Sequence, residues 1–121
     1  MSIHDLGSID ATSLDREGPQ AYLVVSDHLD WTDEEAHVEA LQKKLAAYIA
    51  AIESGEIFRL RPAFVGRQIV IKIVGKHPPP ADVIAFYAEC AEVLAPLDVG
   101  LRAGGLEGTP WFESDQAAAP P

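Results

Sequence analysis

The sequence predicts an α+β domain: a two-layer sandwich in which two helices cover one face of a mostly antiparallel sheet of four to five strands. Three observations lead there. Val38, Leu41, Leu45, Tyr48, Ile49 and Ile52 recur at spacings of three and four, one apolar stripe on a long helix. Gln68 to Gly75 is almost unbroken in β-branched residues, with Ile69, Ile71 and Ile73 on one face and Val70, Lys72 and Val74 on the other. With 121 residues, 48% of them hydrophobic, the chain has material for one core and is short for two.

Taken in order, residues 1–8 read as an unanchored arm. Ile9 to Leu14 and Gln20 to Ser26 read as paired strands, joined by the turn residues Asp15-Arg16-Glu17-Gly18-Pro19. Ala21 to Val25 is apolar on both alternating faces, which suits a central strand. Thr32 with Glu35 three residues on forms a capping-box pattern, and Asp33, Glu34 and Glu35 put negative charge at the positive end of the helix dipole. The helix then runs over about 33–54, with a Glu39–Lys43 pair on its surface and Ser54-Gly55 to end it.

Glu56 to Arg61 alternates Phe58 and Leu60 with Ile57, Arg59 and Arg61, as a third strand would, and Pro62 stops it. Gln68 to Gly75 is the fourth. Lys76-His77-Pro78-Pro79-Pro80 is a stiff connector, and Pro80 is suited to the first turn of a second helix over 81–95, with Val83, Phe86, Tyr87, Cys90, Ala91 and Leu94 as its apolar face. Leu97 to Arg102 gives a short fifth strand and Trp111-Phe112 a last anchor. The order is ββαββα(β) in one domain over 1–111, followed by a disordered Ala/Pro-rich tail over 112–121. A ferredoxin-like order, with helices crossing between parallel strands, is the runner-up.

Composition excludes several classes. No apolar run approaches the roughly 20 residues of a bilayer crossing, and the first residues lack the basic and apolar regions of a signal peptide, so the expected location is cytoplasmic. Cys90 stands alone, which rules out an internal disulfide and a Cys-based zinc site. The net charge of −10 argues against nucleic acid as a partner. It is unevenly spread: −9 over residues 1–40, +5 over 41–80 and −6 over 81–121.

The strings Val24-Val25-Ser26-Asp27-His28-Leu29-Asp30-Trp31, Leu41-Gln42-Lys43-Lys44-Leu45, Ile52-Glu53-Ser54-Gly55-Glu56-Ile57 and Ile69-Val70-Ile71-Lys72-Ile73 resemble a family of short bacterial proteins of unassigned function. The resemblance covers roughly residues 7–100. It implies a shared fold and a shared site near the Ser-Asp-His-Leu-Asp-Trp string, and it implies no activity and no cofactor.

Candidate binding residues follow from both lines of argument. Asp27, His28 and Asp30 gather acid and imidazole at a strand end. They suit either an oriented base, a metal site completed by His37, or a corner in which both carboxylates accept backbone N–H bonds with His28 as their donor. A metal needs about three protein ligands, and no third is evident. Trp31 suits packing over the first helical turn or stacking on a ligand. Arg59, Arg61, Arg67 and Lys72 on the third and fourth strands suit an anion or an acidic surface. No nucleophile-elbow, phosphate-loop, Cys-x-x-Cys or His-Glu-x-x-His pattern occurs.

The expected function is therefore a non-enzymatic binding module. Its partner is a second copy or a basic protein, and contact is through a sheet face too apolar for pure solvent contact. The alternative is a small hydrolase or metal-dependent enzyme built on Asp27, His28 and Asp30.

Overall fold

The two longest β-branched runs become adjacent strands. In the computed structural model, which describes residues 11–14 and 19–117, β2 (Gln20–Asp27) and β3 (Gln68–Gly75) pair in parallel, Leu23 opposite Ile71 and Val25 opposite Ile73. Bonds from Gln68 N to Pro19 O and from Lys76 N to Asp27 O extend the ladder at both ends. β4 (Gly100–Gly105) adds in parallel on the other side of β3. Two short antiparallel strands complete the sheet: β1 (Ala11–Leu14) on β2 and β5 (Pro110–Glu113) on β4. The strand order is β1-β2-β3-β4-β5.

Parallel neighbours require crossovers, and the helices supply them. α1 (Glu34–Glu53) leads from β2, through α2 (Glu56–Leu60) and a 3-10 turn at Pro62–Phe64, to β3. α3 (Ala81–Leu94) leads from β3 to β4. Each crossover steps one strand over in the same direction, which brings both helices to one face. There Leu41, Leu45 and Tyr48 of α1 and Val83, Tyr87 and Leu94 of α3 close on Leu23, Val25, Ile71, Ile73 and Leu101, all buried. Each such aliphatic side chain contributes about 1.5–3 kcal/mol on burial, so the helix layer and the sheet stabilise one another.

The sheet is mixed rather than mostly antiparallel, and Glu56–Arg61 is the reason. These residues were expected to form a strand and form α2 instead, with Ile57 buried, Phe58 half-buried, and Arg59 and Leu60 exposed. That exposure follows a helical turn, not a two-residue alternation. Over six residues the two periods are hard to tell apart. Gly55 does turn left-handed at φ 78, as expected, but the chain re-enters a helix after it. Without a strand here the centre reads strand–helix–strand–helix–strand, which implies parallel pairing. The order is thus ββααβαββ in place of ββαββα(β). The helices cross between parallel strands as in the ferredoxin-like alternative, but the strands follow one another in sequence.

Other boundaries also moved. The N-cap of α1 is Asp33, whose side chain accepts from Ala36 N, and not Thr32. The strand expected over Leu97–Arg102 is β4 and begins at Gly100, because the 3-10 turn Ala95–Leu97 and the left-handed Asp98 precede it. Beyond residue 111, where a disordered tail was expected, the chain completes β5 and adds a 3-10 turn at Asp115–Ala117. Gln20 Nε2 and Arg102 Nη2 both donate to Ala117 O, at 3.0 and 2.9 Å. Gly100 lies so close that a Cβ there would stand 2.6 Å from the Ala117 backbone. The arm 1–8, Ile9, Asp10, the turn residues Asp15–Gly18 and residues 118–121 lie outside the described residues.

Candidate functional site

Three acids in register cap the corner between β2 and α1. Asp27 Oδ1 accepts from Leu29 N at 3.2 Å, Asp30 Oδ1 from Thr32 N at 3.1 Å, and Asp33 Oδ1 from Ala36 N at 3.1 Å. Each carboxylate satisfies a backbone donor that the turn or the first helical turn leaves open. The Thr32 backbone N–H and hydroxyl, both bonded to Asp30, hold its carboxyl below the usual carboxylate range.

One turn into α1, His37 closes the corner from above. Its Nε2 lies 2.7 and 2.6 Å from the two oxygens of Asp27, and its Nδ1 lies 2.9 Å from Asp30 O. A carbonyl oxygen only accepts, so Nδ1 carries a proton. An imidazole lone pair and a carboxylate do not sit 2.6 Å apart without a proton between them, so the contact to Asp27 is a second hydrogen bond. Asp27 and His37 are 4% and 2% exposed. Every polar atom of the imidazole is therefore engaged inside the fold.

Two tryptophans seal the same end of the sheet. Trp31 stacks on His37 with ring centroids 3.6 Å apart and planes at 14°, and its indole N–H donates to His77 O in the connector at 3.1 Å. It thus spans from the loop after β2 to the loop after β3. Trp111 lies on the ends of β3 and β4: a Cβ on Gly75 would meet its ring at 2.6 Å, and one on Gly105 at 3.4 Å. The irregularity between β4 and β5 at Ala103/Gly104 brings Trp111 to that face beside Phe112. In open parallel sheets a ligand crevice forms at the strands' carboxyl ends where the strand order reverses. Here the order runs straight through, and indole rings occupy the strand ends.

Beneath them the Tyr87 hydroxyl is buried and, among the described residues, has no hydrogen-bond partner. Burial, and secondarily the charge of Asp27, push its pKa above the ordinary value.

The expected site residues separate. Asp27, Asp30 and Trp31 belong to the corner, and both carboxylates accept backbone N–H bonds as the structural alternative required. His28 does not join them: it is exposed, and His37 takes the place proposed for it against Asp27. Among the described residues no group of three or more His, Cys, Asp or Glu side chains is placed to hold a metal. Arg59 and Arg61 sit on and just after α2, not on a strand, so they do not gather with Lys72. Lys72 stands on the sheet face opposite the helices, in a cross-strand row that reads Val24, Lys72, Arg102, Glu113. Arg102 Nε lies 3.1 Å from Glu113 Oε2, and its guanidinium lies 5.6 Å from the Tyr22 ring centroid.

The strand-end corner that carries the Ser-Asp-His-Leu-Asp-Trp string falls inside a match, over residues 1–106, to a family of unknown function, DUF6572. The chain belongs to this family. Comparison with curated proteins and with solved structures returns no match. The family match spans Asp27, Trp31, His37 and Tyr87 and stops short of Trp111 and the Ala117 anchor. The two partners that sequence reasoning under-weighted were His37 and Tyr87. For His37 a signal existed: it lies four residues after the true N-cap, where a side chain faces back over the corner.

Proposed function

We propose that the domain is a non-catalytic binding module that pairs with a second copy of itself through the open face of its sheet. The observation that carries this is the face itself: Tyr22, Val24 and Val74 are half-buried with no second layer over them among the described residues, and Lys72 stands exposed among them. The end of that face near Gln20 and Gly100 is taken by the Ala117 turn. The other end forms a cleft of about 450 Å³ lined by Lys72, Val74, Arg102, Leu106 and Pro110. Apolar surface of this kind between charged rims marks an interface more often than a solvated face.

The row Lys72–Arg102–Glu113, set against its own reverse, places Lys72 opposite Glu113 at both ends and Arg102 opposite Arg102 at the centre, where each guanidinium is paired with its own Glu113. The Asp27–His37 pair supports a non-catalytic role, because both imidazole nitrogens are committed to the fold and Trp31 covers the ring.

Sedimentation equilibrium tests the proposal. Two chains of net charge −10 repel, so a dimer held by apolar contact tightens as salt rises through about 0.15 M, where the Debye length is about 8 Å. A basic partner held by charge would show the opposite salt dependence. Val74→Asp, a change on an open face, is expected to leave the protein folded and monomeric. A wild-type chain that stays monomeric at about 1 mM, or a Val74→Asp chain that still dimerises, refutes it.

A further inference from the structure

A second surface, on a different edge of the molecule, has its own chemistry. From Ile57 to Ala81 the chain contains Arg59, Arg61, Arg67, Lys72 and Lys76 and not one acid, within a protein of net charge −10. Folding spreads the two lysines elsewhere but keeps the arginines on one compact turn. Bonds from Arg61 N to Ile57 O, Phe64 N to Arg61 O, Val65 N to Pro62 O and Arg67 N to Phe64 O fold 57–67 in on itself. Phe64 anchors this turn in the core. Arg61 is laid over β1, its Nη1 on Leu60 O at 2.9 Å and its Nε 3.4 Å from Thr12 Oγ1. Arg59 is exposed. Among these cations stand large apolar side chains left in water: Leu60 at 52%, Val65 at 66% and, two residues beyond Thr12 on β1, Leu14 at 42% exposure.

Apolar side chains in water beside arginine forks are the composition of a protein-recognition surface. Arginine is enriched there because its planar fork binds carboxylates in pairs. We propose that the Arg59–Arg67 turn and the adjoining end of β1 dock an acidic protein segment that also carries aliphatic side chains. Carboxylates would meet Arg59 and Arg61, and the aliphatic groups would meet Leu60, Val65 and Leu14. Charge complementarity selects the occupant. A long polyanion such as nucleic acid, or an anionic membrane, meets the field of the whole acidic chain, which repels it beyond the reach of three arginines. A short acidic segment brings few charges to be repelled and uses the local positive patch. The surface is separate from the open sheet face, so this proposal does not depend on self-association.

The test is an amide-detected NMR titration of the full chain with a short peptide alternating Glu and Leu. The expected result is a set of shifts confined to residues 57–67 and the end of β1, with affinity that falls as salt is added. Replacing Glu by Gln in the peptide, or making Arg59→Glu with Arg61→Glu in the protein, is expected to weaken binding at least about tenfold. Both arginines are exposed, so an unchanged amide spectrum verifies that the variant is folded. Val74→Asp is expected to bind the peptide as the parent does, even where it no longer dimerises. Shifts located elsewhere, equal binding of the Gln peptide, or tighter binding to duplex DNA or to phosphatidylserine vesicles than to the peptide would each overturn the proposal.

Discussion

His37 Nε2 lies 2.6 Å from Asp27 Oδ2 with neither side chain open to solvent, and the pair ties the first turns of α1 to the end of β2. Such a pair stabilises as a unit, because either member alone is a buried polar group without its partner. Asp27→Ala and His37→Ala are each expected to cost about 3–5 kcal/mol in chemical denaturation. The double change Asp27→Leu with His37→Leu is expected to cost clearly less than the two together. Additive losses would mean that the two residues act through separate contacts.

Tyr87 presents the reverse situation. Its hydroxyl is buried with no partner among the described residues, so its desolvation is not offset. Tyr87→Phe keeps the ring and its neighbours Phe86 and Phe112. It is expected to leave stability unchanged or to raise it by about 1 kcal/mol. A loss of that size on thermal unfolding would instead indicate a hydrogen bond made through bound water.

Gly75 has no room for a side chain, since its Cβ would fall 2.6 Å from the Trp111 ring. Gly75→Ala must shift the indole or the strand end, at a cost of about 1–3 kcal/mol. Trp111→Leu in the same chain is expected to recover part of that loss while lowering the parent when made alone. If Gly75→Ala is harmless, the ring is not seated on β3 and the account of that strand end fails.

What was legible in the sequence was whatever repeats along it. The stripe Leu41, Leu45, Tyr48 and the run Ile69, Ile71, Ile73 each declare a period over many residues, and α1 and β3 lie where they predict. Glu56–Arg61 is too short for a period to decide, and a strand there leads to a mostly antiparallel sheet where the sheet is mixed. The corner is legible as a place, through Asp27, Asp30 and Trp31, but adjacency in the chain points to His28 as its imidazole. Proximity in sequence favoured His28; the helix geometry that carries His37 back over Asp27 favoured the other. Trp111 over Gly75 and Ala117 under Gly100 depend on contacts between residues far apart in the chain, which no local pattern records.

Cys90 links this packing to pH. Burial first, and the Glu89 charge second, push its thiol from an ordinary 9.0 up to about 11. The unfolded chain therefore ionises this thiol near pH 9, while the folded chain keeps it neutral to about pH 11. The folded form binds the extra proton through that window, so the contribution is complete below pH 9 and is lost as pH rises to about 11. The raised Tyr87 hydroxyl acts in the same direction at still higher pH, so only a comparison isolates the thiol. Melting temperatures taken from neutral to alkaline pH are expected to fall more steeply for the parent than for Cys90→Ala, the two curves converging as pH rises. Native protein at about pH 8 is expected to react slowly with iodoacetamide, because the thiolate is the nucleophile and little of it is present. Parallel melting curves together with rapid alkylation would show that the thiol ionises freely, and that the groove between α1 and α3 into which it faces, lined by Leu45, Ile49 and Phe86, does not shield it.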